Sequence, residues 1–258
     1  MSHWNYGEFT DAVRKLTDID LSAYNERQMK RRIDAFLSRS KHQNYNGFYN
    51  ALVENHELRD KFINFLTINV TEFFRNPPQW EKLKQEIIPK LLELPQPLRV
   101  WSSACSTGEE PYSMAMLLNQ FMDLKSIRIL ATDIDEAALV KARKGVYDKK
   151  TVKNLSKEQI AKYFDEDEEN YYIKDELKAC VHFKKLNLLV DPFPVNYHLI
   201  LCRNVMIYFT QEAKERLYRR FYSSLLQGGV LFIGNTEQII NPGQYGFVSQ
   251  KSFFYTKR

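Results

Sequence analysis

The spacing of hydrophobic positions changes partway along this chain. In residues 21–37 the apolar positions recur at helical spacing and, at about 100° per residue, form one stripe of Leu21, Tyr24, Met29, Ile33 and Phe36. Residues 1–75 contain no alternating run rich in Val or Ile, and their only glycines are Gly7 and Gly47. We therefore predict that the first part of the chain is entirely helical.

Prolines separate this helical part from the remainder of the chain. The Asn76-Pro77-Pro78 sequence marks a boundary because a residue that precedes proline disfavours the helical conformation. A helical pattern then covers residues 79–94 and ends at Pro95 and Pro97. We predict a front domain at residues 1–75, a linker with a helix at 76–97 and a larger domain at 98–258.

Short apolar strands alternate with amphipathic helices from residue 98 onward. The predicted strands are 98–104, 127–132, 197–202, 230–234 and 252–256, and the predicted helices are 111–122, 136–144 and 210–226. This alternation is typical of a mostly parallel, Rossmann-like α/β sheet with helices on both faces. No helix-length segment connects the last two strands, so we expect the last one to run antiparallel.

One stretch interrupts the alternation. An acidic run at residues 165–169 is followed by two short apolar runs at 171–173 and 181–183. The two apolar runs predict a small antiparallel β appendage, inserted at about residues 165–189.

Composition narrows the class of protein. The chain has 258 residues, of which 44% are hydrophobic and 27% charged, as in soluble globular proteins. It has no apolar run near the roughly 18 residues that span a bilayer and no apolar signal core at its start, so we expect a cytoplasmic protein without membrane insertion. The cysteines Cys105, Cys180 and Cys202 are too far apart for a zinc pattern, and we predict neither a disulfide framework nor a metal site.

Positive charge is concentrated in one predicted helix. The net charge of +5 and the pI of about 8.9 permit nucleic acid, acidic protein or membrane-surface partners and select none of them. Residues 21–41, however, contain six basic and two acidic side chains, and Arg27, Lys30 and Arg31 lie opposite the apolar stripe. This face is either simply solvated or a docking surface for an acidic partner.

The loop after the first predicted strand carries candidate chemistry. Ligands of an open parallel sheet bind beyond the carboxyl ends of its strands. Residues 104–111 contain one glycine and the pair Glu109 and Glu110, instead of the G-x-G-x-x-G pattern of a dinucleotide site. Two carboxylates repel a pyrophosphate and favour a cationic ligand such as S-adenosylmethionine, which has an ammonium and a sulfonium group. Carboxylates at a helix start are also a common structural feature.

Other strand ends carry polar side chains as well. Asp133 follows the second strand, where a carboxylate can accept both hydroxyls of a ribose, and Asp135 can cap the next helix. Asn187 ends a later apolar segment, where its amide could read an adenine edge. Arg203 and Asn204 follow the strand at 197–202.

Four motifs together resemble those of the CheR family of chemotaxis receptor methyltransferases. They are NVTEFFR at 69–75, ACSTGEEPYS at 104–113, ATDID at 131–135 and CRNVMIYF at 202–209. The resemblance covers nearly the whole chain, including the helical front domain. It implies an enzyme that transfers a methyl group from S-adenosylmethionine to glutamate side chains on the cytoplasmic helices of methyl-accepting chemotaxis receptors, leaving S-adenosylhomocysteine.

The resemblance also implies roles for particular residues. It predicts a cofactor site formed by Asn69, Thr71, Arg75, Glu109, Asp133, Asn187, Leu188, Arg203 and Asn204. Arg75 and Tyr208 would lie near the transferred methyl group. Arg27, Lys30 and Arg31 would dock the receptor. Some family members grip a receptor peptide through a glycine-containing loop of the appendage, and residues 164–189 contain no glycine.

The expected chemistry requires no general base. A glutamate with a pKa of roughly 4.3 is already ionised at pH 7, so the absence of a catalytic His or Cys is expected. We expect a monomer that does not bind nucleic acid. The alternatives are an RNA methyltransferase of the same fold and a non-catalytic regulator that binds the cofactor. Mild alkali distinguishes the RNA alternative, because it hydrolyses carboxyl methyl esters and leaves methylated nucleobases intact.

Overall fold

Asparagine side chains start the first three α-helices among the described residues. The computed structural model describes residues 4–40, 42, 44–67 and 69–258, so Lys41 of the basic stretch lies outside it. Asn5, Asn25 and Asn44 each accept a backbone N–H from the first turn of the helix that follows. The front helices are α1 (Tyr6–Thr17), α2 (Glu26–Arg39), α3 (Tyr45–Glu54) and α4 (His56–Thr67). Their apolar faces share one core, and the predicted helical front domain is confirmed.

A broken helix connects this front domain to the rest of the chain. It consists of α5 (Pro77–Lys82), a π-helical turn (Leu83–Ile87) and α6 (Ile88–Leu92). Its apolar side, which includes Trp80 and Leu91, packs into the core beneath the large sheet. The boundaries that we proposed at residues 75 and 97 stay a prediction.

A seven-stranded sheet forms the centre of the larger part. Its strands, in chain order, are β1 (Val100–Ser102), β2 (Ile129–Asp133), β6 (Val181–Lys185), β7 (Tyr197–Cys202), β8 (Leu225–Ile233), β9 (Phe247–Lys251) and β10 (Phe254–Lys257). Their order across the sheet is β6-β2-β1-β7-β8-β10-β9. The first five of these run parallel, whereas β10 is antiparallel to both β8 and β9. The predicted sheet and its antiparallel last strand are confirmed.

Local caps set the ends of the helices that cover this sheet. Asp135 accepts the N–H groups of the first turn of α8, and Thr210 does the same for α11. Gly145 ends α8 in the left-handed conformation, with φ of 63°. The helices are α7 (Glu109–Leu118), α8 (Glu136–Lys144), α9 (Lys157–Tyr163), α10 (Asp175–Lys178) and α11 (Gln211–Ser224). No helix in the described part of the chain combines the length and the apolar character that crossing a membrane requires.

The small β appendage contains only one of the two runs predicted for it, 171–173, together with two strands that were not predicted. It is a three-stranded antiparallel sheet of β3 (Val146–Asp148), β4 (Phe164–Glu166) and β5 (Asn170–Ile173), in the order β3-β5-β4. The run at 181–183, assigned to the appendage, instead belongs to β6 and pairs in parallel with β2. The prediction was wrong here because apolar runs identify strands, whereas pairing depends on segments distant in sequence.

Candidate active site

A cleft opens at the carboxyl ends of β1, β2 and β7, with the front domain as one wall. All of the predicted cofactor-site and methyl-site residues line it except Glu109: Asn69, Thr71, Arg75, Asp133, Asn187, Leu188, Arg203, Asn204 and Tyr208. Such a position beyond the strand ends is where open parallel sheets bind ligands. The fold therefore gathers side chains that are up to about 140 residues apart in the sequence.

Asp133 lies at the floor of this cleft, at the end of β2. Its Oδ2 accepts the backbone N–H of Ser106 at 2.7 Å, and its Oδ1 accepts that of Asp135 at 3.0 Å. Burial raises the pKa of Asp133 to about 6, although these hydrogen bonds favour the ionised form. Because a carboxylate accepts about four hydrogen bonds, Asp133 keeps acceptor capacity for ligand hydroxyls.

The two glutamates at the start of α7 point in different directions. Glu110 lines the cleft, and its carboxylate accepts the hydroxyl of Ser102 at 2.7 Å. Glu109 is outside the lining, and its carboxylate accepts the hydroxyl of Thr107. Successive helical residues project about 100° apart, which accounts for the different directions of the two side chains. Burial raises the pKa of Glu109 to about 7. The cofactor contact predicted for Glu109 stays a prediction.

Asn69 joins three loops around the cleft. Its amide nitrogen donates to Oδ2 of Asp135 at 2.7 Å, and its amide oxygen accepts the hydroxyl of Ser106 at 2.9 Å. Asp135 also accepts the hydroxyl of Thr67 at 2.9 Å while its other oxygen caps α8. The end of the front domain is thus tied to the loops that follow β1 and β2.

Arg203 lines the cleft and also makes several buried contacts within the protein, and its predicted contact with the cofactor stays a prediction. Its guanidinium lies 3.3 Å from the Glu110 carboxylate, and it donates to the carbonyl of Arg75 at 2.7 Å and to Oε1 of Gln79 at 3.0 Å. Its Nε is buried and has no hydrogen-bond partner among the residues that the structure describes. Burial lowers the pKa of Arg203. The side chain therefore orients the backbone that carries Arg75.

Arg75 itself is half-buried at the side of the cleft. It donates one N–H to the carbonyl of Val70 at 2.9 Å, which leaves several of its five N–H donors for a ligand. Val70 lines the cleft as well and is 71% exposed, so it lies at the mouth. An arginine at this place can bind a carboxylate with two hydrogen bonds.

The turn that carries Asn204 and Tyr208 is held by an acid that sequence reasoning missed. Glu237 lies three residues after Gly234, where the loop after β8 begins. Its carboxylate accepts the backbone N–H groups of Asn204 at 2.7 Å and Ile207 at 3.2 Å. The sequence did contain one indication that Glu237 belongs to the site, because Glu237 follows a parallel strand at the edge of the cleft.

The front domain contributes Tyr24 to the wall of the cleft, a second residue that the sequence did not reveal. Its ring lies 4.9 Å from that of Phe209, edge to face. The backbone N–H of Asn25 donates to the carbonyl of Tyr208 at 2.8 Å. The front domain therefore shapes the site directly.

Asn187 lines the cleft, but its side chain is already engaged. Its Nδ2 donates to the carbonyl of Asp18 at 3.1 Å, and its Oδ1 accepts the N–H of Leu189 at 2.9 Å. Recognition of an adenine edge by this amide stays a prediction.

The basic residues of α2 lie on its exposed side. Arg27, Lys30 and Arg31 face solvent, while Met29 and Ile33 are buried against the front core. Lys30 pairs with Asp34 at 2.8 Å. Because α2 begins immediately after Asn25, which contacts the Tyr208 turn, this exposed face starts beside the cleft.

Comparison with known proteins identifies both parts of the chain. Residues 5–67 match the model described as "CheR methyltransferase, all-alpha domain", and residues 69–254 match "CheR methyltransferase, SAM binding domain". A chemotaxis protein methyltransferase of Listeria monocytogenes is 42% identical over 98% of this chain and 97% of its own length. One from Borreliella burgdorferi is 35% identical over 86% and 83% of the two chains. One from Escherichia coli K12 is 39% identical over 74% and 69%.

Proposed function

This chain belongs to the CheR methyltransferase family, and we propose that it transfers the methyl group to glutamate side chains of methyl-accepting chemotaxis receptors. Its methyl donor is S-adenosylmethionine, and its substrates are chemotaxis receptors. We propose glutamate as the amino acid that accepts the methyl group, Arg75 and Tyr208 as the residues that act on it, and the cytoplasm as the place of the reaction.

The donor set of the cleft fits S-adenosylmethionine. Asp133 provides a carboxylate with acceptor capacity for ribose hydroxyls. Polar groups of Asn69, Thr71 and Asn204 are the remaining predicted contacts. When bound, S-adenosylmethionine supplies a methyl group on a positively charged sulfur, which an ionised carboxylate can accept directly as an ester.

One observation carries the choice of a carboxylate as acceptor. The described residues that line the cleft include no histidine, lysine or cysteine, and their acids are already engaged. Glu72 pairs with Lys153 at 2.9 Å, Glu110 lies against Arg203, and Asp133 accepts backbone N–H groups. An alcohol or a protonated amine needs a free base to become a nucleophile, whereas a glutamate ionised at pH 7 does not.

Arg75 and Tyr208 are suited to orient this glutamate. Arg75 has free N–H donors at the cleft side, and the Tyr208 hydroxyl has no hydrogen-bond partner among the described residues. Both groups donate hydrogen bonds, and a carboxylate accepts them. Such alignment of an ionised nucleophile in a partly closed cleft lowers the barrier without any proton transfer.

Labelled methyl transfer tests the acceptor. Receptor cytoplasmic domains are incubated with the enzyme and methyl-labelled S-adenosylmethionine, treated with mild base, and mapped by peptide mass spectrometry. We expect the label on glutamate and its complete loss in base. A base-stable label, or a label on another residue, would contradict the proposal and, if carried by RNA, would favour the RNA methyltransferase alternative.

Substitutions test the two orienting residues. We expect Arg75→Ala and Tyr208→Phe to lower turnover roughly 10- to 100-fold, as loss of alignment does. Arg216→Ala and Tyr49→Phe, which change the same residue types outside the cleft, should leave turnover near the unsubstituted level. Near-normal turnover of both cleft variants would remove Arg75 and Tyr208 from the mechanism.

A further inference from the structure

Glu237 is a buried acid without an ion-pair partner among the described residues. It is 6% exposed and lies in the loop after β8, outside every motif that identified the cofactor site. Its Oε2 accepts the N–H of Asn204 at 2.7 Å and that of Gly234 at 2.8 Å, and its Oε1 accepts the N–H of Ile207 at 3.2 Å. Backbone N–H groups therefore stabilise the ionised carboxylate, although burial raises the pKa of Glu237.

These hydrogen bonds hold one short turn at two points. Asn204 has a left-handed backbone, with φ of 60°, and a 3₁₀ turn (Met206–Tyr208) follows it. Asparagine is one of the few residues with a side chain that adopt the left-handed conformation readily, which suits this position. The Glu237 carboxylate fixes the turn by accepting the N–H groups of Asn204 and Ile207. The turn places Asn204 and Tyr208 in the cleft wall.

Gly234 allows this carboxylate to come so close to the backbone. A Cβ on Gly234 would lie 2.5 Å from Oε2 of Glu237 and 3.0 Å from the nitrogen of Asn204. Both distances are shorter than ordinary van der Waals contact, so only glycine fits at this position. The end of β8, the acid and the turn therefore form one closely packed unit.

The turn is held from the other side by the front domain. The N–H of Asn25 donates to the carbonyl of Tyr208 at 2.8 Å. We propose that Glu237 is a positioning residue for methyl transfer, which fixes the Asn204–Tyr208 turn so that Tyr208 faces the acceptor carboxylate. This inference rests on the proposed role of Tyr208.

The Glu237→Gln variant tests the proposal, because glutamine has almost the same shape as glutamate but lacks its charge. Both oxygens of Glu237 accept N–H groups, so a glutamine must turn its NH₂ toward at least one donor whichever way the amide is oriented. We expect kcat for receptor methylation to fall roughly 10- to 100-fold. The affinity for S-adenosylhomocysteine, measured by calorimetry, should fall by a smaller factor than kcat, because only Asn204 of this turn is a predicted cofactor contact.

Three further variants make the test decisive. Glu237→Asp keeps the charge and should restore part of the lost kcat, whereas Glu212→Gln, the same change at an exposed site of α11, should leave it unaltered. In the double variant Tyr208→Phe, Glu237→Gln, kcat should be no lower than in the worse single variant, because both changes remove one function. Urea unfolding identifies the fraction of each variant that is folded, and kcat is expressed per folded enzyme.

Specific results would overturn the proposal. These are unaltered kcat in Glu237→Gln, additive losses in the double variant, or a loss of S-adenosylhomocysteine affinity as large as the loss of kcat. Mapping of the label to a residue other than glutamate would contradict the proposed function alone, because the variants are compared by turnover whatever the acceptor.

Discussion

The amide nitrogen of Asn69 lies 2.7 Å from Oδ2 of Asp135, and this hydrogen bond joins segments that are 66 residues apart. Asp135 caps the helix that follows β2, and Asn69 also accepts the hydroxyl of Ser106 in the loop after β1. The loops at the floor of the cleft are therefore fixed relative to the end of the front domain. The front domain therefore helps to shape the proposed cofactor cleft, in addition to its proposed docking role.

Asn69→Ala should weaken both the fold and the cofactor site. It leaves the Asp135 carboxylate and the Ser106 hydroxyl with fewer partners, which lowers the free energy of unfolding by roughly 1–3 kcal/mol. We expect the affinity for S-adenosylhomocysteine to fall about tenfold, or about 1.4 kcal/mol. Urea unfolding and calorimetry measure the two effects, with Asn50→Ala on the exposed side of α3 as control. Unchanged affinity would show that the loops hold their positions without Asn69.

Cofactor affinity should depend on pH through Asp133. Burial raises the pKa of this acid to about 6 in the free protein, and ligand hydroxyls that donate to the carboxylate lower it in the complex. Affinity for S-adenosylhomocysteine is therefore level above about pH 7 and falls roughly tenfold by pH 5, where Asp133 must lose a proton before it binds. Calorimetry from pH 5 to 8 measures this dependence.

Two variants assign that pH dependence. The Asp133→Asn variant should bind S-adenosylhomocysteine weakly, and its affinity should not change with pH near pH 6. Glu109→Gln should keep the change, although burial raises the pKa of Glu109 to about 7, because this acid lies outside the cleft lining. If Glu109→Gln removes the pH dependence, Glu109 and not Asp133 is the titrating group.

Glu110→Gln should destabilise the protein strongly. The Arg203 side chain is 2% exposed and that of Glu110 is 11% exposed, so the substitution leaves a buried guanidinium without its counter-charge. Breaking a buried pair in this way lowers the free energy of unfolding by about 3 kcal/mol. Glu72→Gln, which breaks the more exposed pair with Lys153, should lower it by less than about 1 kcal/mol. Equal effects in urea unfolding would mean that burial does not set the strength of these pairs.

Charge reversal on α2 tests the receptor-docking surface. Arg27→Glu together with Arg31→Glu should raise the KM for the receptor domain about tenfold and reduce its salt dependence, because the acidic receptor helix loses its attraction. The affinity for S-adenosylhomocysteine should not change. Lys125→Glu together with Arg128→Glu, which changes charge equally at the opposite end of the sheet, is the control. An unaltered KM in the α2 variant would contradict the docking role.

The sequence by itself determined the features that depend on near neighbours. Helix α8 was predicted to start after Asp135 and end at Gly145, because its cap accepts N–H groups only two and three residues away. Thr210, at the start of the predicted helix 210–226, likewise caps α11 through the N–H of Ala213, three residues away. Helical and strand periodicity likewise predicted the front helices and the parallel sheet, and four motifs in order indicated the family and its cofactor.

Only the tertiary structure decided the pairings between distant segments. It assigned β6 to the large sheet instead of the appendage, turned Glu110 instead of Glu109 into the cleft, and brought Tyr24 to the cleft wall. It also brought the Glu237 carboxylate to the backbone N–H of Asn204, although the two residues are 33 positions apart in the sequence. These outcomes depend on how packed elements are oriented in space, and local spacing contains no information about partners that meet only when the core closes.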